Sequence, residues 1–229
     1  MFGLLLPGCW SNATADSSDV NEDKIYGDYD AWFEADNNEV WLHAQFTFGG
    51  WNGTTLRLSP PSTITVDGKE MDIRDGDEAL LNLVGTYYSL RESTTEPSAS
   101  YTFEWTRTDS TTYTNVLTMP KAVSIAAPAA GASHSMADTL EVEFAGDALA
   151  GKEELECVLD GVKTDEKQTT DFGTGCVFTP EELQELGEGP VTATVERRLT
   201  DAPQAGHDAE GGKIEGRYKS KSVTFDLTR

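Results

Sequence analysis

The sequence predicts an all-β protein built as two β-sandwich units in tandem, and three observations carry that expectation. Apolar residues recur with a period of two along several short segments, and turn-forming residues separate those segments. Once a leading stretch of about 22 residues is set aside, enough chain is left for two units of about 100 residues, each able to bury its own core. The expected boundaries are residues 23–119 for the first unit and 120–229 for the second, both following a leading segment (1–9) and a short disordered tether (10–22).

The leading segment carries a motif. Leu6 stands three residues before Cys9, Gly8 stands just before it, and residues 2–6 are largely apolar. This arrangement resembles the end of a bacterial lipoprotein signal, which implies that Cys9 becomes the mature N-terminus and carries acyl chains. Each buried methylene of such a chain contributes about 0.8 kcal/mol, so two or more chains hold a protein at a bilayer stably. Trp10 and Ser11 follow in place of the aspartate that retains enteric lipoproteins at the inner membrane, which implies an outer-membrane location facing the periplasm or the exterior. Residues 11–21 are rich in Ser, Asp and Asn, the composition of a flexible tether. No run of about 18 apolar residues follows.

In the first unit, Val40, Leu42, Ala44, Phe46 and Phe48 alternate with Trp41, His43, Gln45 and Thr47, the period of a half-buried strand. Residues 63–66 and 69–73 flank Asp67-Gly68, a dipeptide suited to a type I′ turn, so Ile64 is expected opposite Met71. Residues 80–90 are apolar without clean alternation and read as a buried strand. Tyr101, Phe103, Trp105 and Arg107 share one strand face, and Asp109-Ser110 turns the chain back into residues 112–117. Met119-Pro120 then closes the unit, and a loop of small residues over 128–135 opens the next.

The second unit is expected to hold strands at 123–126, 139–144, 155–159, 175–178, 191–199 and 221–227. Residues 179–186 are its one helix, with Thr179 as N-cap, Pro180 in the first turn, Glu181 and Glu182 near the positive dipole end, and Gly187 beyond. A short helical turn leading into Gly189-Pro-Val-Thr-Ala-Thr-Val195 is a habit of immunoglobulin-like sandwiches. An oxidising compartment would join Cys157 to Cys176 and close a loop of about 20 residues, adding about 3 kcal/mol of stability. Two unrelated buried thiols are the alternative.

The stretches Thr112-Tyr-Thr-Asn115, Leu117-Thr-Met-Pro120, Ile125-Ala-Ala-Pro128 and Thr139-Leu-Glu-Val-Glu-Phe144 resemble the inter-domain junction of lipobox-bearing proteins from Gram-negative, predator- or myxobacteria-like bacteria. Those proteins carry two successive immunoglobulin-like sandwiches. The resemblance covers the junction and second half best, and it implies a fold and an envelope location. It supplies no catalytic residue.

Composition narrows the function. Forty acidic residues against 17 basic ones give a net charge of −23, which opposes binding to nucleic acid or to anionic lipid headgroups. Hydrolase, metalloprotease, phosphate-loop and dinucleotide signatures are absent, so no catalytic residue and no cofactor is assigned. His134 and His207 sit in polar stretches, and two cysteines do not make a zinc site. Asp19, Asn21 and Asp23 have the opening spacing of a calcium loop, but Lys24 replaces its glycine and no metal is assigned. The remaining asymmetry is aromatic, since Trp32, Trp41, Trp51 and Trp105 all lie in the first unit. Trp41 and His43, set opposite the apolar face of their strand, and Trp51, in a glycine-rich loop, are the candidate ligand-binding residues. Core packing is the competing use of the same rings. The expected function is that of a lipid-anchored, non-enzymatic binding or display module. Its partners would be the membrane through its lipid and an envelope protein or polysaccharide. The alternative is a glycan or cell-wall binding module working through the tryptophans.

Overall fold

The computed structural model describes residues 14–78, 83–170, 175–207 and 210–229. Cys9 and the lipoprotein motif lie outside the described residues. In the first half run β1 (Thr14–Asp16), β2 (Ile25–Glu34), β3 (Glu39–Phe48), β4 (Thr54–Arg57), β5 (Thr63–Val66), β6 (Lys69–Glu70), β7 (Asp72–Glu78), β8 (Leu83–Ser93), β9 (Ser100–Thr106) and β10 (Thr112–Thr118). In the second run β11 (Val123–Ala127), β12 (Ser133–Ser135), β13 (Leu140–Gly146), β14 (Glu153–Asp160), β15 (Asp165–Thr170), β16 (Gly175–Phe178), α1 (Pro180–Leu186), β17 (Gly189–Asp201), β18 (Gly212–Lys219) and β19 (Val223–Thr228). The chain is all-β, as expected, with two sandwiches.

The first sandwich follows its sequence pattern. Val40, Leu42, Ala44 and Phe46 of β3 point into a core shared with Tyr29 and Phe33 of β2, and Phe103 and Trp105 of β9 close it from the facing sheet. That facing sheet has the order β10-β9-β5-β6. Asp67 and Gly68 both take positive φ (49° and 75°), which makes the type I′ turn, and Met71 N–H donates to the Ile64 carbonyl at 3.2 Å. Arg107 stays on the face of Trp105 but is not left uncompensated, because it pairs with Glu22 at 3.2 Å and Asp23 at 2.8 Å.

Those two partners correct the tether. Its residues from Thr14 onward are structured: β1 pairs in parallel with β4, Ser17 is fully buried with its hydroxyl accepting from Ser59 N–H, and Glu22 is buried against Arg107. Polar composition suggests a solvated linker, yet a short polar segment whose backbone pairs with a strand and several of whose side chains find partners can be ordered. Two of the residues with calcium-loop spacing, Asn21 and Asp23, are engaged by protein groups. Asn21 Oδ1 accepts from Asp23 N–H, Asp23 is taken by Arg107, and no metal-holding cluster occurs among the described residues.

The second sandwich has an immunoglobulin-like layout. A three-stranded sheet, β11-β13-β16, packs on β15, β14, β17 and β19, with β12 lying parallel to β19. Cys157 of β14 and Cys176 of β16 form a disulfide across the two sheets. Helix α1 is fixed at its start by a capping box, with Thr179 accepting from Glu182 N–H while the Glu182 carboxylate accepts from Thr179 N–H, and it buries Leu183 and Leu186.

The expected seam near residues 119–120 separates the two cores but not the sheet. Apart from Ile214, the buried residues of the first core end at Met119, and those of the second begin at Val123. Yet β18, from the second half, inserts beside β2 and runs parallel to it from Gly27↔Gly212 to Glu34↔Lys219. Its Ile214 belongs to the first core. The sheet therefore continues β1-β4-β3-β2-β18-β17-β14-β15, with β17 long enough to pair β19 with its first part and β18 with its last.

His207, placed by sequence in a polar loop, is in fact 4% exposed at this junction. Its ring stacks on Trp105 (5.1 Å, 7°), Nε2 lies 2.8 Å from the Tyr29 hydroxyl, and Nδ1 lies 2.9 Å from the Ile25 carbonyl. Gly27 is required beneath it, since a Cβ there would fall 2.3 Å from Nε2. Asn115, fully buried on β10, ties down the same segment by accepting from Gln204 and Ala205 N–H and donating to the Ala205 carbonyl.

Candidate functional site

The long sheet has an inner face that feeds the cores and an outer face whose pattern does not suit plain solvation. Across β8, β3, β2 and β18 the register sets Arg91, Trp41, Trp32 and Arg217 in one row and Ser89, His43, Asp30 and Glu215 in the next. Several of these residues are buried despite facing outward: Asp30 is 2% exposed, His43 3% and Trp32 6%. Long neighbours on the same face shield them.

Two zones adjoin along these rows. Toward the junction is a charge network, in which Lys213 Nζ lies 3.5 Å from Asp28 and 3.4 Å from Asp30, and Arg217 contacts both Asp30 and Glu215. Asp30 Oδ1 sits at ion-pair distances without a well-directed hydrogen bond. Burial, and then the Asp30 charge, push Asp28 up to about 7, and burial also raises Asp30. Burial likewise raises the cost of ionising Glu215, but Arg217 and Lys213 outweigh it and hold that carboxyl low, helped by a hydrogen bond from Thr200. The two aspartates and Glu215 share two cations, Lys213 and Arg217.

Away from the junction lies a cavity of about 280 Å³ lined by Trp41, His43, Asp72, Arg74, Tyr87, Ser89, Leu90 and Arg91. Its wall is a row of nearly parallel rings, with Trp41 to His43 at 6.1 Å and 6° and His43 to Tyr87 at 5.9 Å and 10°. The Arg91 guanidinium lies 3.4 Å from the Trp41 ring centre, a cation on an aromatic face. Arg74 and Asp72 pair across the rim at 3.2 Å. His43 is held neutral near physiological pH: burial first, then Arg91 and Arg217, lower it to about 4. Its Nδ1 is buried with no hydrogen-bond partner.

Of the candidate binding residues, the structure brings Trp41 and His43 together in this cavity and leaves Trp51 out, 74% exposed in the loop after β3. Trp105 is a core residue, stacked on His207. The sequence reading missed Tyr87, Arg91 and Arg74. A signal for Tyr87 and Arg91 was available, since Tyr87, Ser89 and Arg91 alternate with Tyr88 and Leu90; Arg74 and Asp72 enter only through the pairing of β7 with Tyr87 and Ser89.

No family model and no curated protein matches the chain. Among solved structures it is similar to the fibronectin(III)-like modules of Clostridium thermocellum CbhA, with 10% identity over 86% of this chain and 87% of that one. The TM-score is 0.28. A likeness this low bears on neither the site nor the partner.

Proposed function

We propose that the protein is a non-catalytic saccharide-binding module, displayed at the cell envelope through lipid on Cys9. The observation that carries the binding reading is the cavity on the outer sheet face, where Trp41, His43 and Tyr87 form an aromatic wall beside Ser89, Asp72 and Arg74. Sugars present alternating C–H and hydroxyl groups, and such a surface offers them apolar rings next to donors and acceptors. The volume is at the small end for ligand sites, which suits one sugar unit within a longer chain. Asp72 is the cavity's single carboxylate among the described residues and is engaged by Arg74, so the two-carboxylate arrangement of glycoside hydrolysis has no support there. The display reading is supported by the lipobox-like motif ending at Cys9 and by the disulfide, a bond suited to an oxidising exterior.

Tryptophan fluorescence under titration with a panel of neutral and acidic oligosaccharides tests the binding reading. Saturable change in the wild type, lost in Trp41→Ala and Tyr87→Ala while the melting temperature holds within a few degrees, is the expected result. A flat response across the panel sinks it. Membrane partitioning and lipid labelling of wild type against Cys9→Ala test the display reading, which fails when both fractionate alike and neither takes up lipid.

A further inference from the structure

Arg91 stands apart from the other arginines. Each of the others has a carboxylate at ion-pair distance, as Arg57 has Asp75 and Arg197 has Glu153. Arg91 has none among the described residues, in a chain where acids outnumber bases 40 to 17. Its guanidinium lies over Trp41 instead, 3.4 Å from the ring centre, and the residue lines the cavity wall. A guanidinium stacked on an aromatic face is pre-oriented and keeps its in-plane donors for a second partner. The same cavity holds Arg74 and one carboxylate, so its lining is net positive on a protein of net charge −23. Beside these cations, His43 is 97% buried by its 3% exposure and has a ring nitrogen that no protein group satisfies.

We infer that the saccharide taken by this cavity is acidic, a chain of hexuronate units whose carboxylate pairs with the edge of Arg91 while the sugar ring packs against the aromatic wall. A planar carboxylate matches the guanidinium fork through two parallel N–H···O bonds. The acidic surface does not prevent this, because charges beyond about 8 Å are largely screened at physiological ionic strength and the nearest charge to the bound carboxylate is Arg91 itself. The inference rests on the saccharide reading and adds the charge of the sugar.

The test uses hexagalacturonate and its full methyl ester, which share a backbone and differ in charge, on the full chain. Tight binding of the acid, with the ester at least about tenfold weaker, is expected for a charge-assisted bidentate contact. Arg91→Met, whose unbranched side chain still covers Trp41, should weaken the acid far more than the ester, so that the two bind alike. Arg91→Lys should recover part of the difference. Equal binding of acid and ester, or equal weakening of both by Arg91→Met, overturns the acidic inference and leaves saccharide binding standing. Failure of the wild type to bind either oligomer or any neutral sugar of the panel overturns the saccharide reading, and this inference with it.

Discussion

His207→Ala is the substitution that most directly asks whether the two halves are joined as the sheet implies. The wild-type ring is buried at 4% exposure and bonds the Tyr29 hydroxyl and the Ile25 carbonyl, both on the strand that β18 joins. Removing it leaves those two groups without these partners, and each buried unsatisfied group costs about 1–3 kcal/mol. The stacked contact with Trp105 contributes about 0.5–1.5 kcal/mol more. Local collapse or entry of a water recovers part of this, so the expected loss is about 3–5 kcal/mol, a large share of the 5–15 kcal/mol typical of a folded domain. For a chain of this size that is a fall in melting temperature of about 6–20 °C. Urea unfolding followed by both tryptophan fluorescence and far-ultraviolet circular dichroism measures it. Fluorescence reports the first half, because every described tryptophan lies there, while circular dichroism reports both halves. A shared sheet predicts that the two curves shift together. A loss below about 1 kcal/mol, or a fluorescence curve that shifts while the dichroism of the second half stays in place, would refute the reasoning.

Three further outcomes follow from the structure. Cys157→Ala opens the loop closed by cysteines 19 positions apart and should destabilise the second half by about 3 kcal/mol, and dithiothreitol should bring the wild type to the same urea midpoint. Asp28 is held at about 7 in the folded chain, first by burial and then by Asp30, against about 3.9 when unfolded. Between those values the folded chain keeps a proton that the unfolded chain has lost, so this group's stabilisation is present below about pH 4 and gone above about pH 7. The stability of Asp28→Asn relative to wild type should accordingly move in the variant's favour between pH 4 and pH 8, and urea midpoints that stay parallel across that range contradict the buried-acid account. Thr179→Ala removes one arm of the capping box and should cost about 1 kcal/mol, read as a lower urea midpoint with an unchanged slope.

The parts of the fold that were legible in sequence are those where one face is apolar and the other polar. Strand β3 and the Asp67-Gly68 hairpin declare themselves, because burial on one side forces a period of two and the turn needs two residues tolerant of positive φ. Strands β2 and β18 escaped for a physical reason. Their outward positions, Asp28, Asp30 and Trp32 on one and Lys213, Glu215 and Arg217 on the other, pair mainly with each other, and glycines at 27 and 216 interrupt the inner pattern where packing leaves no room for a side chain. Compensation between strands distant in sequence cannot be read from either strand alone. His207 was misread for the same reason, since its neighbours in sequence are polar while its neighbours in space are Tyr29 and Trp105. For the cavity, alternation gave Trp41 and His43. Of the residues that complete it, those on β8 come from a segment whose apolar content hid its two faces, and Asp72 and Arg74 come from β7, a charged strand with no apolar period to mark it.

The junction and the cavity belong to one mechanical unit, which bears on why a binding site would sit here. His43 is flanked in register by Asp30 on β2 and Ser89 on β8, and Asp30 is followed by Glu215 on β18, so one row runs from the cavity into the strand contributed by the second half. Binding residues held on strands are placed more closely than those on loops, and β3 and β8 are fixed on both sides by pairing. Trp51 gives the contrast within the same molecule: it is aromatic and exposed but sits on a glycine-rich loop with positive φ at Gly49 and Gly50, where little holds it in one orientation. Insertion of β18 beside β2 thus does two things at once. It completes the first core with Ile214, and it supplies the cations Lys213 and Arg217 that allow Asp30 to be buried next to His43 of the aromatic wall. The negative charge gathered there has its own cations, and Arg91, one strand beyond His43, is left without one of those acids as a partner and open to a carboxylate from outside the chain.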